Sequence, residues 1–261
     1  MSRIIAIANQ KGGVGKTTTA VNLAAGLAAS SKKVLLVDLD PQGNETMASG
    51  IEKSGLEHSV TELLLGESTL EQTIVVSEEG YALIPCNIDL IAVELQLMDE
   101  PNREGRLKLA LQPVRDNYDF IIIDCPPSLS LLTLNALAAA DGIIVPMQCE
   151  YFALEGLSSL IKTINALKQK LNPALEIDGI IRTMYDVRNN LANAVSNELT
   201  THFGDTVYRT LVPRNVRLAE APSHGMSIIR YDKSSRGALA YMGLSGEVIQ
   251  RMNKKSVKEK V

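Results

Sequence analysis

The chain has 261 residues, 45% of them hydrophobic and 21% charged, with a formal net charge of −4. That is enough apolar material for one large core, and glycine and proline near average use exclude a fibrous or disordered chain. The negative balance excludes DNA binding by general basicity and leaves only a local cationic patch. Aromatics at 4%, with no Trp, exclude a run of stacking platforms for single-stranded nucleic acid.

The first element is a short apolar strand, Ile4–Ala8. It is too short to be the apolar core of a secretory signal, and no later run approaches the ~18 apolar residues of a membrane span. A soluble, intracellular protein is expected. Cys86, Cys125 and Cys149 form no CxxC pair and read as reduced thiols of a cytosolic protein.

Lys11-Gly12-Gly13-Val14-Gly15-Lys16-Thr17 follows that strand and opens a helix over Thr17–Ala29, where Ala20, Leu23, Ala24, Leu27 and Ala28 recur at helical spacing. Strand, glycine loop and helix form the context of a phosphate-binding loop. Phosphate oxygens need a ring of backbone N–H donors, so the loop must be nearly free of Cβ atoms, and the helix start adds its positive end. Lys16 would charge-pair the β- and γ-phosphates, and Thr17 offers a hydroxyl to Mg²⁺. The common form of the loop has glycine where Gln10 stands, and here an extra lysine, Lys11, precedes the glycines.

A buried strand, Val34–Val37, ends in Asp38, with Asp40 two residues on. One of these carboxylates should orient an attacking water or support the metal. Tyr81–Ile84 is the next strand, followed by helical stretches near Asp89–Met98 and Arg103–Val114 with Pro101 between them. Phe120–Ile123 is the most apolar strand and ends at Asp124, before Cys125-Pro126-Pro127. A carboxylate at the carboxyl end of such a strand is placed to hold Mg²⁺ through water. A helix at Leu131–Ala139, a strand at Gly142–Val145, a helix at Ala153–Leu171 stopped by Asn172-Pro173, a strand at Ile177–Ile181, a helix at Leu191–His202 and a strand at Val207–Leu211 follow. The last helix covers Ser235–Met252, with Met242, Val248, Ile249 and Met252 on one face. The alternation predicts one α/β domain over residues 1–252, a single doubly wound, mostly parallel sheet flanked by helices. The polar tail 253–261 is expected to be disordered.

Several segments carry a family resemblance. Asn9 to Thr19, Val37 to Asn44, Ile121 to Ser128, Gln148 to Gly156 and Val212 to Gly225 resemble the ParA/Soj chromosome and plasmid partition ATPases, a branch of the deviant Walker A ATPases. The likeness covers about residues 3 to 250. It implies a Mg²⁺-dependent ATPase whose ATP form is a sandwich homodimer that binds duplex DNA without sequence preference. A ParB-type centromere-binding protein then stimulates slow hydrolysis and resets it. By the same resemblance Lys11 reaches the partner's nucleotide, Lys16 serves its own, and Asp40 positions the water, with Asp38 as runner-up. Nucleotide contacts fall on Lys11, Gly12, Gly13, Val14, Gly15, Lys16, Thr17 and Thr18, and on Pro213 and Asn215 beside the adenine. Metal contacts fall on Thr17, Asp124 and Asp40. DNA contacts fall on Arg188 and Arg217, with Arg214 and Arg182 as weaker candidates.

The likeness further implies a cytoplasmic, nucleoid-associated protein with no extra helix-turn-helix segment before the loop. No Asn-Lys-x-Asp guanine-reading motif is present, because Asn253-Lys254-Lys255-Ser256 lacks the aspartate, so ATP is preferred over GTP. A MinD-type membrane-cycling ATPase would need bulky apolar residues at the C-terminus, where the last nine residues hold only two valines. A nitrogenase-iron-protein-like carrier would need subunit-bridging cysteines, and a carboxylate-activating ligase an acceptor pocket that the sequence does not mark.

Overall fold

A computed structural model of the protein describes the backbone of residues 2–258. Eight strands form one sheet: β1 (Arg3–Ile7), β2 (Val34–Asp38), β3 (Val75–Val76), β4 (Ala82–Ile84), β5 (Phe120–Asp124), β6 (Gly142–Gln148), β7 (Glu176–Tyr185) and β8 (Val207–Pro213). Their spatial order is β3-β4-β2-β5-β1-β6-β7-β8. All neighbours run parallel except β3 against β4. The helices are α1 (Lys16–Ala29), α2 (Asn44–Ala48), α3 (Val60–Leu65), α4 (Leu70–Thr73), α5 (Leu90–Gln96), α6 (Arg106–Leu111), α7 (Leu131–Ala139), α8 (Ala153–Lys170), α9 (Asn190–Phe203), α10 (Val216–Glu220), α11 (Ile228–Tyr231) and α12 (Arg236–Lys258).

The central strands are apolar between their ends because both faces are covered. Ile5, Ile7, Leu36, Ile122 and Ile144 point to one core, which holds Leu23, Leu27, Tyr241 and Leu244 of α1 and α12. Their alternates Ile4, Ala6, Leu35, Val37, Ile121, Ile123, Ile143 and Val145 point to the other, which holds Val93, Leu107, Leu132, Leu157 and Leu199 of α5 to α9. This is the doubly wound architecture that the sequence predicted.

The parallel register fixes the functional edge. Asp124 pairs with Ile7 on one side and with Asp38 on the other. The loop after β1 and both strand-end carboxylates therefore emerge side by side, at the edge where open parallel sheets gather ligands.

The structure departs from the sequence reading in several places. Strand β3 and helices α2, α3, α4, α10 and α11 were not predicted, although α3 and α4 carry complete capping boxes, Ser59 with Glu62 and Thr69 with Gln72. β6 runs on through Pro146 to Gln148, and β7 runs on to Tyr185. The last helix also runs past Met252, into the segment expected as a tail. Helix α12 continues to Lys258, because Lys255 Nζ reaches Asp178 Oδ1 at 2.9 Å and Glu176 Oε2 at 2.6 Å. One turn earlier, the Arg251 guanidinium lies 4.0 Å from the Tyr208 ring centre and donates to the Asp178 carbonyl. Residues 259–261 of the expected tail lie outside the described residues.

Candidate nucleotide site and arginine groove

The glycine loop has the backbone its composition allows. Gly13 (φ 72°) and Gly15 (φ 86°) sit in the left-handed region, where a Cβ would be strained. A Cβ built on Gly12 or Gly13 would meet nothing within 4 Å, so these two positions face an open cradle. Gly15 precedes α1 with no side-chain cap, so the amides of the first turn remain for an anion.

The loop is pinned by the two strands on one side of β1, β6 and β7. Thr183 Oγ1 donates to the Val14 carbonyl at 2.8 Å. Asn9 Nδ2 donates to the Pro146 carbonyl at 2.8 Å, while its Oδ1 accepts from the Lys11 amide at 3.0 Å. Lys16 is buried, and its Nζ lies 3.4 Å from the Lys11 carbonyl. The side chain thus folds back over the loop it would serve. Lys11 points elsewhere: its ammonium pairs with Glu150 in the loop after β6.

Thr17 Oγ1 donates to Asp124 Oδ2 at 2.6 Å. Asp124 is fully buried, and its other oxygen, Oδ1, has no hydrogen-bond partner among the described residues. Burial pushes its carboxyl well above the usual range, against the pull of Thr17 and Lys16. A hydroxyl and an orphaned buried carboxylate oxygen in contact fit a hard cation. Among the described residues no group of three or more His, Cys, Asp and Glu side chains could hold a metal unaided. Mg²⁺ would accordingly complete its shell with phosphate and water.

The two aspartates after β2 separate cleanly. Asp38 is fully buried; its Oδ2 accepts from the Thr46 amide (2.8 Å) and hydroxyl (2.7 Å), and its Oδ1 from the Asp40 amide (3.2 Å). Burial pushes its carboxyl up to about 6, and those hydrogen bonds oppose the shift. Asp40 is only partly buried and accepts from the Gln42 amide at 3.0 Å.

A cavity of about 300 Å³ opens beside the loop, lined by Gly15, Thr18, Thr183, Met184, Pro213 and Asn215, among others. The turn expected to hold the base is thus brought against the glycine loop. Asn215 also caps α10, its Oδ1 accepting from the Leu218 amide. Sequence reasoning missed Thr183 and Met184. The left-handed φ of Met184, 50°, leaves no signal in the residue type, but the polar Thr183 just past the predicted end of an apolar strand was a readable one.

On the other side of the same turn lies an open groove of about 890 Å³ whose lining includes Asp186, Arg188, Pro213, Arg214, Arg236 and Leu239. Arg188 is 87% exposed and pairs with Asp186 at 2.8 Å. Arg217, on α10, pairs with Glu220 at 2.8 Å and stands 3.9 Å from Asp232. Arg214 is exposed at the rim. Arg182 is a correction. It is buried, donating to Ser196 Oγ at 2.8 Å and to the Tyr208 carbonyl at 2.6 Å, because a cation on a central strand must be hydrogen-bonded inside the fold. Arg236, overlooked in the sequence, takes its place as a third groove cation.

Residues 2–177 match a family model described as an AAA domain. The chain is 53% identical over 249 residues to the sporulation initiation inhibitor protein Soj of Bacillus subtilis, covering 95% of this chain and 98% of that one. It is 49% identical to the chromosome partitioning protein ParA of Myxococcus xanthus, covering 100% and 93%. Among solved structures it resembles a Mycobacterium smegmatis protein named cobyrinic acid a,c-diamide synthase, with bound ADP and magnesium, at a TM-score of 0.86 and 38% identity over 97% and 96% of the two chains. A glycine loop with two lysines, a strand-end aspartate against its threonine and near-full-length identity of about half to Soj and ParA together place this chain in the ParA/Soj family of chromosome partitioning ATPases.

Proposed function

We propose that the chain is an ATP-driven DNA-partitioning switch in which Mg·ATP closes a homodimer, the dimer grips duplex DNA, and hydrolysis stimulated by a ParB-type partner releases it. The observation that carries this reading is the shared turn. Pro213 and Arg214 line both the base cavity and the arginine groove. A base bound in the one would rest on the same turn that carries Arg214 into the other.

The residues divide the work as follows. The amides of Gly12 to Thr18 and the Lys16 ammonium hold the phosphates, and Pro213 and Asn215 bound the base. Thr17 and Asp124 hold Mg²⁺, which neutralises charge developing on the phosphates. Asp38 has its oxygens committed to Thr46 and Asp40, so Asp40 is the carboxylate left to orient the attacking water. Lys11, anchored by its own Glu150 and not turned into its own cradle, reaches the partner's nucleotide in the dimer. Arg188, Arg214 and Arg217 contact DNA phosphates, and dimerisation doubles them on one face of an acidic protein. Each neutralised phosphate adds about 0.9 to the log–log salt slope.

The name of the mycobacterial protein suggests a ligase reading for that protein. Here the identity to Soj and ParA is higher, and the arginine groove fits a polyanion. The test is retention of duplex DNA with ATP, with ADP and without nucleotide, at two salt concentrations. DNA held only with ATP, with a steep salt dependence, is the expected result; equal retention in all three states overturns the reading.

A further inference from the structure

Glu45, in the first turn of α2, is fully buried, and neither of its carboxylate oxygens has a hydrogen-bond partner among the described residues. A carboxylate in such a place is costly unless a cation or a set of donors is brought to it. Nothing in the loop chemistry described above uses it. Asp38, Asp124 and Asp40 act on it electrostatically, and the next residue, Thr46, donates to Asp38, which pairs with Asp124 across the sheet, so α2 begins at the metal edge. Asp124 Oδ1 is the other orphaned carboxylate oxygen there. Both Glu45 oxygens and Asp124 Oδ1 are thus buried acceptors without donors, and Asp124 is the carboxylate that Thr17 contacts.

We propose that Glu45 is a positioning residue for magnesium, its carboxylate accepting hydrogen bonds from water molecules of the Mg²⁺ shell. Magnesium retains several waters in such sites, and those waters are the donors that the unpartnered Glu45 oxygens lack. The next residue gives that role a consequence. Thr46 donates twice to Asp38, Asp38 accepts the Asp40 amide, and the Cys86 amide donates to Thr46 Oγ1 at 2.9 Å. Fixing Glu45 on the metal's water therefore fixes α2, Asp38 and the loop that carries Asp40.

The inference rests on Thr17 and Asp124 as the magnesium site, and the experiment separates the two claims. Binding of a fluorescent ATP analogue is followed as Mg²⁺ is titrated, for the wild type, Glu45→Gln, Glu45→Ala and Thr17→Ala, with thermal melts in EDTA and in excess Mg²⁺. Glu45→Ala should raise the half-saturating Mg²⁺ by about tenfold or more, the scale at which outer-shell partners tune metal affinity. Glu45→Gln, which keeps an acceptor but loses the charge, should fall between it and the wild type. Analogue affinity in EDTA should be unchanged, and the EDTA melting temperature should equal or exceed that of the wild type, since an unpartnered buried carboxylate has been removed. Magnesium half-saturation unchanged in both Glu45 variants but weakened in Thr17→Ala makes Glu45 a buried acid only and overturns the inference. An unchanged Thr17→Ala overturns the magnesium placement itself.

Discussion

The nucleotide edge and the arginine groove are built on opposite principles. At the edge, side chains are buried and held by single, specific partners: Thr17 by Asp124, Val14 by Thr183, Asp38 by Thr46. In and beside the groove the cations are exposed, and two are already paired with neighbouring carboxylates, Arg188 in the groove with Asp186 and Arg217 next to it on α10 with Glu220. Exposed pairs of this kind are worth only ~0–1 kcal/mol and are screened by salt, so a DNA phosphate can displace the carboxylate at little cost. Rigid geometry suits a ligand of fixed shape, and loosely held charge suits a polymer whose phosphates arrive in many registers.

The contrast predicts that substitutions at the edge act steeply and those in the groove act gradually. The largest effect should come from Lys16→Ala. Losing one partner of a desolvated charge pair costs ~2–5 kcal/mol, and Lys16 should fall in the upper part of that range. Calorimetric ATP affinity should drop by about 10³-fold, and ATP-dependent DNA retention should vanish with it. Retention that survives the loss of ATP affinity would uncouple the two regions. Asp40→Ala should come next, lowering turnover by roughly 10²–10³ while ATP still binds, since a positioned base contributes ~10²–10⁴. Phosphate-release assays paired with sizing in ATP would show an inactive, persistent dimer. Normal turnover in this variant returns the water-orienting role to Asp38.

Arg188→Glu and Arg217→Glu should leave the fold, ATP affinity and dimer intact, because exposed substitutions of this kind change stability by about 0.5 kcal/mol or less. Each should lower the salt slope of DNA binding by about one unit for every phosphate no longer neutralised, doubled in a dimer, and lower affinity by about tenfold. A steep loss from a single arginine, as at the edge, would mean that the groove reads DNA with fixed geometry. Arg236→Ala should behave like its neighbours, though more weakly.

The two regions also differed in how far their sequence could be read. The edge was legible because backbone chemistry forces its residues: a phosphate cradle needs Gly13 and Gly15, and a strand-end carboxylate must follow the run Phe120–Ile123. Burial on both faces made the central strands legible as well. Arg182 and Arg236 were misread because exposure is not written in residue type. One arginine lies on a strand whose neighbours bury it, and the other begins a helix that the topology swings into the groove. Glu45 was invisible for the same reason. In the sequence it is one acid in a polar loop, and only the packing of α2 against the sheet edge buries it. The tail failed differently: the attraction of Lys255 for Asp178 is a long-range pairing with no local signature.

Lys11 stands between the two regimes, a loop residue held by an exposed ion pair with Glu150, their side chains 49% and 47% exposed. If Lys11 serves the partner subunit, that pair competes with dimerisation, since the lysine must leave Glu150 before it can reach across. Glu150→Gln removes the competitor without touching the phosphate cradle. At ~0.2–1 kcal/mol for an exposed pair, removed once in each subunit, the ATP-dependent dimer should tighten by about two- to thirtyfold, read by analytical ultracentrifugation in ATP with a slowly hydrolysed analogue as control. The gain should shrink as salt rises, because screening already weakens the pair in the wild type. The same substitution in a Lys11→Ala background should gain nothing. A gain that persists there would place the effect of Glu150 on the interface itself, through its neighbours Tyr151 and Phe152, which are 74% and 70% exposed and packed edge to face at 4.9 Å. The double-substitution cycle therefore decides whether Lys11 is restrained in the single subunit or whether the aromatic pair beside it makes the contact.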